Sequence, residues 1–474
     1  MTTGGAAAAT GTRDTGSSRL TLLLLCAAQS MLVVDVVAVN VALPSIRDDL
    51  GIPDGRLTLV AVAYTLTFGT LLIVFGRLGD LLGRRRLFLI GLGAFTVASL
   101  ATGLAQAEWQ LLTARAAQGA GAAMVSPTAL ALLTTAFAEG DRRNRALGAW
   151  AAVGSGGAIA GQLLGGVLTD LLDWRWIFLV NVPIGAVTVA AARRRLHESR
   201  AEDRPALDVR GATVLTAALA AATLALTRYA EGGHPVQATW LLGAAVAAFA
   251  VLAVVERRHR APLIDRRLLR VGGVARANAL LAVDAGALGA SLFFTTLYMQ
   301  VVLDYSPLAV GAAFAPITLL ILLISPRAGT LTTRYGPKPL IATGFALLAA
   351  GMLLLARVPV DGTYRRDVLP AMLLLAVGSG LSYAPIFVAG TAGVPDRDQG
   401  LASGFLTCAQ ELGSAVGVTV LGAVATAATL GDDVAALTAG YRAGLLTAAA
   451  VTALSLPLVI GLPRPAAKAR PADH

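Results

Sequence analysis

The chain has 474 residues, of which 56% are hydrophobic and only 14% are charged, and its formal net charge at pH 7 is +10. With a mean hydropathy of +0.71, this composition excludes an ordinary soluble domain and is typical of a protein that crosses a membrane many times. The basic residues stand in short clusters between apolar runs, which indicates membrane topology and not nucleic-acid binding.

Cysteines and histidines are too few for a disulfide framework or a metal site. Cys26 and Cys408 both lie in apolar runs, and the four histidines stand in loop-like segments. We therefore predict no metal and no cofactor. Residues 1–19 predict a cytoplasmic tail, and the apolar run after them contains Asp35, which indicates an uncleaved first span and not a signal peptide.

About fourteen apolar runs are long enough to cross a bilayer, because about 20 helical residues span its hydrocarbon core. The sequence therefore predicts an all-α polytopic membrane protein. The predicted spans are 20–43, 57–76, 87–106, 110–136, 146–168, 176–192, 209–227, 238–255, 277–301, 307–326, 339–356, 368–390, 401–428 and 440–462.

The basic residues predict the orientation of these spans. With the N-terminus in the cytoplasm, 29 of the 38 Lys and Arg residues fall in the tails and inner loops, and 8 fall in the outer loops. Because basic residues collect on the cytoplasmic side, we expect both termini inside and an even number of spans.

Two similar turns indicate an internal repeat. Gly76–Arg86, between the second and third spans, has an echo at Gly329–Lys338, which begins 253 residues later. We therefore predict two related six-helix bundles joined by two linking helices. The predicted units are the tail 1–19, the first bundle 20–192, the basic loops and linking helices 193–276, the second bundle 277–462 and a cytoplasmic tail 463–474.

Four segments carry a resemblance to a known family. Gly76–Arg86 resembles the loop motif G-x-L-x-D-x-x-G-R-[RK] of the major facilitator superfamily, and Arg115–Gly119 resembles its R-x-x-Q-G element. Asp35–Pro44 and Trp174–Gly185 resemble signatures of the fourteen-span drug:proton antiporter family. Two positions depart from that family's pattern, since Gln162 replaces a proline and Val37 replaces a threonine.

The resemblance implies a major facilitator fold with 14 transmembrane helices and no enzymatic activity. It implies proton-driven export of hydrophobic or amphipathic drugs or antibiotics by alternating access in a bacterial inner membrane. The expected partners are a small-molecule substrate, protons and the lipid bilayer, and the expected state is a monomer. The proton gradient is the expected energy source, and the sequence contains no P-loop motif for ATP.

Four charged residues, Asp35, Arg115, Asp284 and Glu411, are predicted at depth in the bilayer, where each needs a partner or a water-filled cavity. Helix rise places Asp35 and Arg115 about 13 Å and about 9 Å from the same membrane face. They form either a permanent ion pair or a titrating pair that drives the cycle. Glu411 is expected to carry a proton, to attract a cationic substrate, or to form a hydrogen bond with a neighbouring helix. Asp284 is expected either to line the cavity or to form a structural pair near the inner side of the membrane.

A largely apolar substrate cavity is predicted from polar and aromatic residues within the spans. The alternative for the aromatic residues is that they face the protein core or the lipid. The candidates are Asn40, Gln118, Gln162, Asp284, Tyr298, Tyr383 and Glu411, together with Gln29, Phe293 and Phe294.

Conformational gating is predicted at the basic turn and at a series of small residues. Asp80 is expected to accept hydrogen bonds from the first turn of a helix or to pair with an arginine, which makes a latch. The echo has Thr333 in place of the acid, so the latch is expected on one side only. The glycines four apart predict either ordinary close packing or a sliding contact between the halves. The gating candidates are Gly76, Asp80, Gly83, Arg84, Arg85, Gly157, Gly161 and Gly165.

Other functions stay open from the residues alone. A facilitator that imports a small metabolite, a transporter of lipids or envelope components, and a non-transporting sensor share this composition. A membrane-embedded enzyme would need a nucleophile and a base at one depth, and the sequence offers no such pair.

Overall fold

The computed structural model describes residues 14–57, 59–199, 208–231, 235–258, 268, 271, 273–431 and 433–462. Within them the chain is helical and contains no strand. The predicted tail 463–474, residues 1–13 of the predicted tail 1–19, and parts of the basic loops in 193–276 lie outside the described residues. The helices are α1 (Asp14–Leu50), α2 (Asp54–Leu57), α3 (Leu59–Leu82), α4 (Arg84–Gly103), α5 (Glu108–Ala136), α6 (Asp141–Leu171), α7 (Trp176–Leu179), α8 (Asn181–Arg195), α9 (Val209–Glu231), α10 (Pro235–Arg258), α11 (Val274–Leu297), α12 (Pro307–Tyr335), α13 (Pro337–Leu355), α14 (Leu369–Thr391), α15 (Gln399–Ala428), α16 (Val434–Leu454) and α17 (Leu456–Ile460).

Twelve helices in the described part of the chain are long and apolar enough to cross a membrane. They correspond to the predicted spans except 146–168 and 209–227. Helix α6 covers the first of these with 31 residues. Helix α9 covers the second with 23 residues and includes the apolar stretch Arg210–Ala225. The all-helical class is confirmed, whereas helix length and hydropathy support twelve of the fourteen predicted spans.

The two halves of the chain repeat the same close helix packing. A Cβ atom built on Gly91 would lie 2.9 Å from the carbonyl oxygen of Gly121, which joins α4 to α5. A Cβ atom on Gly344 would lie 2.7 Å from the carbonyl oxygen of Gly378, which joins α13 to α14. The members of the two pairs are 253 and 257 residues apart. Since only glycine permits this approach, the packing supports the predicted repeat.

A second pair of equivalent contacts corrects the predicted role of the glycine series. A Cβ atom on Gly157 of α6 would lie 3.1 Å from Val33 of α1, and one on Gly413 of α15 would lie 2.5 Å from Ala282 of α11. Small residues four apart let neighbouring helices pack closely, and here both neighbours belong to the same half. The five glycines do not form the predicted sliding contact between the halves in this structure, because each packs on a helix of its own half: Gly157, Gly161, Gly165, Gly413 and Gly417.

Helices α1–α8 form a first bundle and α11–α17 a second, and five helices carry most of the contact between them. Helix α6 packs on α12 and α14, and α3 packs on α15. Of the two linking helices, α9 packs on α10, α3 and α15. Apolar side chains on the outer face of α10, such as Trp240 and Val246, are exposed. One linking helix therefore contacts both bundles.

Candidate functional site

Asp35 and Arg115 form a buried ion pair in the first bundle. Arg115 Nη1 on α5 lies 2.5 Å from Asp35 Oδ2 on α1, and the two side chains are 1% and 0% exposed. The pairing predicted from helix rise is therefore present. Two charges removed from water need close geometry and further hydrogen bonds to offset the loss of hydration.

Gln118 and Asn181 supply those further hydrogen bonds. Gln118 Nε2 and Asn181 Nδ2 each lie 3.1 Å from Asp35 Oδ1 and donate to it. Gln118 Oε1 accepts from Arg115 Nη1 at 3.0 Å, and Gln118 Nε2 lies 2.8 Å from Ser99 Oγ. Because Gln118 is fully buried and bonded within the first bundle, its predicted place in the lining of a cavity is wrong. It belongs to the ion-pair network.

Two aromatic rings also contact the guanidinium group of Arg115. Its guanidinium carbon lies 4.5 Å from the ring centroid of Tyr64 and 5.6 Å from that of Phe178. Its Nε donates to the carbonyl oxygen of Val60 at 3.3 Å. The hydroxyl of Tyr64 is buried and has no hydrogen-bond partner in the described part of the chain. Cation–π contact stabilises the guanidinium where water is absent.

Asp284 is the buried acid of the second bundle. It lies on α11 with no exposed surface, and its Oδ1 is 2.6 Å from Ser382 Oγ on α14. Its Oδ2 is buried and has no hydrogen-bond partner among the described residues. Asp284 therefore does not line an open cavity in this structure, and it is bonded to a neighbouring helix without a cation among the described residues.

Glu411 lies on α15 between the two bundles. Its carboxyl interacts electrostatically with Tyr64 of the first bundle and with Tyr383 of the second. The side chain is half-buried, and we find no hydrogen bond to it from the described residues. Of the three predicted deep acids, Glu411 is thus the one that remains partly accessible.

The other predicted cavity residues have different surroundings. Tyr383 is buried, and a Cβ atom built on Gly154 of α6 would lie 3.6 Å from its ring, so it does lie where the bundles meet. Tyr298 is wrong as a cavity residue, because its hydroxyl donates to the carbonyl oxygen of Pro359 at 2.5 Å in a loop of the second bundle. The side chains of Asn40 and Gln162 lie outside the described ones.

Three further candidates also lie elsewhere. Gln29 is buried, and its Oε1 has no partner within the described ranges. Phe294 packs on Tyr441 with ring centroids 5.9 Å apart, so it belongs to the core of the second bundle. Phe293 is 43% exposed on the outer surface.

The end of the molecule that carries the turns Gly83–Arg86 and Gly336–Lys338 is called the basic face. There Asp80, at the end of α3, is fully buried. Its Oδ1 accepts from the N–H of Gly400 at 2.9 Å and its Oδ2 from the N–H of Leu401 at 3.0 Å, in the first turn of α15. Arg84 Nη2 lies 2.6 Å from Asp80 Oδ1. Both predicted interactions of Asp80 are present together.

Arg84 joins three parts of the chain. Besides Asp80, it donates to Ser199 Oγ at 3.0 Å and to the carbonyl oxygen of Asp396. The backbone N–H of Arg84 donates to the carbonyl oxygen of Ser199 at 2.9 Å. The first bundle, the segment after α8 and the second bundle therefore meet at one guanidinium.

Glu198 caps the N-terminus of α4, a role that no sequence pattern predicted. Its carboxylate accepts from the backbone N–H groups of Arg85 and Arg86, each at 3.1 Å. A carboxylate at these positions satisfies the free N–H groups of a helix start. Gly83 has φ +112 and leaves room for this carboxylate, because a Cβ atom there would lie 2.7 Å from Glu198 Oε1. Arg85 also donates to the carbonyl oxygen of Arg193 at 2.6 Å.

A second polar contact between the bundles lies at Gly329–Lys338, the segment that repeats the basic turn. Thr333 Oγ1 accepts from Asn144 Nδ2 at 2.9 Å and lies 3.4 Å from Asp141 Oδ1, to which it donates. A polar contact between the bundles therefore exists on this side as well, although its acid bonds a threonine hydroxyl and not the start of a helix. The acid missing from α12 is supplied by Asp141 at the start of α6, the helix that faces it.

Arg143 adds a charged contact beside them. Its Nη2 donates to the carbonyl oxygen of Thr391 at 3.0 Å, and its Nη1 lies 3.2 Å from Glu139 Oε1. Burial lowers the pKa of the Arg143 guanidinium, and the nearby Glu139 opposes this effect. The N–H of Gly393 donates to Glu139 Oε1 at 3.0 Å. These contacts join the two bundles, so the basic face is closed.

No group of three or more His, Cys, Asp or Glu residues that could hold a metal ion occurs within the described ranges. The chemistry of the central site is thus that of a buried ion pair, a buried acid and a partly accessible acid. Such groups hold and release protons or attract cations.

Several known proteins have sequences similar to this chain. Among similar proteins are the cephamycin export protein of Amycolatopsis lactamdurans, 39% identical over 89% of this chain and 88% of the relative, and the puromycin resistance protein of Streptomyces alboniger, 38% identical over 86% and 82%. The lincomycin resistance protein of Streptomyces lincolnensis is 36% identical over 92% of this chain and 90% of its own length.

Solved structures share the fold. The human organic anion transporter MFSD10 superposes with a TM-score of 0.69 at 16% identity, over 93% of this chain and 99% of that one. The proton:xylose symporter XylE has a TM-score of 0.63 at 15% identity, over 94% and 95%. Residues 23–418 match the Major Facilitator Superfamily. The chain belongs to the Major Facilitator Superfamily, a family of transporters, as the sequence motifs predicted.

Proposed function

We propose that the chain is a proton-coupled exporter of amphipathic antibiotics or related drugs that works by alternating access. The names of its relatives support this class of substrate, since they export cephamycin or confer resistance to puromycin and lincomycin. Substrate would bind between the two bundles near the middle of the membrane, where Glu411 is partly accessible.

The observation that carries the proposal is the ion pair of Asp35 and Arg115, closed by Gln118 and Asn181. A buried pair of this kind is costly to break, because the remaining charge loses its partner. Protonation of Asp35 removes the negative charge, so Arg115 loses its counter-ion and the relative energies of the two conformations change. A proton that binds on one side of the membrane therefore drives the conformational change.

The latch at Asp80 biases the same equilibrium. Its two bonds to the first turn of α15 exist only when the basic face is closed. The excess of basic residues in the predicted inner loops supports a cytoplasmic basic face. On that assignment both termini are cytoplasmic, and the conformation described above opens away from the cytoplasm.

We further propose fourteen membrane spans in the bacterial cell membrane, with α6 and α9 as the two additional ones. Helix α6 has 31 residues and packs along α1 and α12, and α9 has 23 residues and packs against α3 and α15. Each is longer than the about 20 residues that a span needs. We propose a monomer, with the proton gradient as energy source.

Everted membrane vesicles from cells that express the chain test the proposal. Cephamycin, puromycin and lincomycin would be offered with the vesicle interior acidified. Export predicts uptake into the vesicles that stops when the pH gradient is collapsed. Accumulation in intact cells instead would favour an importer, and a changed envelope lipid composition without drug uptake would favour a lipid transporter.

A further inference from the structure

We propose that Asp284 and Ser382 form a second proton-binding site, located in the second bundle and separate from Asp35 and Arg115. The binding of a proton there follows from local geometry. Its use in transport rests on the proposed proton-coupled function, and the two are tested separately below.

The carboxyl of Asp284 has one hydrogen-bond partner and no cation. Oδ1 lies 2.6 Å from Ser382 Oγ, while Oδ2 is buried without a partner in the described part of the chain. An ionised carboxylate in such a place loses its hydration and regains few hydrogen bonds in return, which is a large free-energy cost. The neutral acid avoids that cost.

The hydroxyl of Ser382 shows which partner carries the hydrogen. Its Oγ also lies 3.0 Å from the carbonyl oxygen of Gly378 and 3.4 Å from that of Ser379. A serine hydroxyl has one hydrogen to donate, and a carbonyl oxygen has none. Each of the contacts to Asp284 and to Gly378 has a hydrogen of its own when Asp284 carries a proton and donates it to Ser382 Oγ, while Ser382 donates onward to Gly378.

The internal repeat explains why the two acids differ. Gly121 of α5 and Gly378 of α14 occupy equivalent positions, 257 residues apart. At the same offset, Met372 stands in place of Arg115 and Leu375 in place of Gln118. Asp284 therefore lacks both the cation and the amide that bond to Asp35. A proton takes the place of the missing arginine.

The titratable groups on neighbouring helices do not supply a cation. Tyr383 of α14 interacts electrostatically with both Asp284 and Glu411 and carries no positive charge. Arg442 of α16 donates to the carbonyl oxygen of Val358. On α11 itself and on α13, α15 and α16, which pack against it, the other titratable groups are Cys408, Glu411, Tyr441, Lys338 and Arg276. Lys338 of α13 donates to the carbonyl oxygen of Ile460, and Arg276 of α11 donates to that of Gly461.

The proposed step is the reversible binding of one proton by the Asp284 carboxylate, which becomes a carboxylic acid, and its release when α11 and α14 rearrange. With Asp35 as the first site, each transport cycle would move two protons.

Infrared difference spectroscopy on the purified protein in lipid nanodiscs tests proton binding without transport. We expect a carbonyl band of a protonated carboxylic acid at neutral pH that is lost in Asp284→Asn and retained in Asp35→Asn and Glu411→Gln. In Ser382→Ala the band should persist at a higher frequency, because its hydrogen bond is gone. A spectrum that is unchanged in both Asp284→Asn and Ser382→Ala would overturn the proposal.

Proton-to-substrate stoichiometry in proteoliposomes tests the use of the site. We expect two protons per substrate for the wild type and one for Asp284→Asn. An unchanged stoichiometry in that variant would overturn the transport role, whereas the infrared band would still report binding. Failure of the coupling function itself would appear differently, as proton-independent transport by the wild type.

Discussion

Asp80 of α3 accepts a hydrogen bond at 2.9 Å from the backbone N–H of Gly400, so a carboxylate of the first bundle caps a helix of the second. The same carboxylate is paired with Arg84 at 2.6 Å. Because the start of a helix carries partial positive charge, this contact is stable only while α15 stays against α3. Closure of the basic face therefore depends on the buried carboxylate of Asp80.

Asp80→Asn should open the basic face. The amide keeps the shape of the side chain but loses the charge, and a hydrogen bond to a charged group contributes about 1.5–3 kcal/mol. We expect at least a tenfold shift toward the open form. Electron–electron distance measurements between spin labels at the exposed residues Arg86 and Arg397, in a chain without Cys26 and Cys408, would show it. An unchanged distance distribution would contradict the latch.

Gly76→Ala should also hinder closure, for a steric reason. A Cβ atom on Gly76 would lie 2.5 Å from the carbonyl oxygen of Gly400, whereas one on Gly69 in the same helix would meet nothing within 4 Å. We expect Gly76→Ala to lengthen the label distance at the basic face and to lower transport several-fold. Gly69→Ala is the matched control and should behave as the wild type. Equal effects of the two substitutions would indicate a general loss of helix packing.

The sequence was sufficient for the helices, the repeat, the Asp35–Arg115 pair and both partners of Asp80. Each follows from hydropathy, helix rise or the charge of a helix start. The interactions that it did not predict depend on segments meeting in space. Glu198 caps α4 from beyond α8, Asp141 replaces an acid missing from α12, and the glycine spacing could not tell a neighbour in the same bundle from one in the other.

Asn181→Ala tests the member of the ion-pair network that lies on α8. Asn181 stands in the segment Trp174–Gly185, but no pattern in the sequence shows that it faces Asp35. Loss of its bond to Asp35 Oδ1 should lower proton-driven transport about tenfold and shift its pH profile. Thr188→Ala is the control on the same helix, because the Thr188 hydroxyl donates to the carbonyl oxygen of Ile184 one turn earlier and makes no other hydrogen bond within the described ranges. A pH profile identical to the wild type would exclude Asn181 from the coupling site.

Glu411→Gln separates substrate recognition from coupling. Because Glu411 is partly accessible between the bundles, we expect the variant to lose most transport of tetraphenylphosphonium, a permanent cation, and to keep that of chloramphenicol, which is neutral. Transport of both compounds in proteoliposomes measures the difference. Equal loss of the two would assign Glu411 to proton coupling and not to substrate charge.

The most direct test of the account is transport by Asp35→Asn in proteoliposomes. Drug uptake driven by a pH gradient would be compared with substrate exchange in the absence of a gradient, using the antibiotic that the vesicle assay identifies. Since the amide cannot gain or lose the proton, we predict that gradient-driven uptake falls to background while exchange persists. Gradient-driven uptake at the wild-type rate would contradict the proposal that Asp35 and Arg115 couple protons to transport.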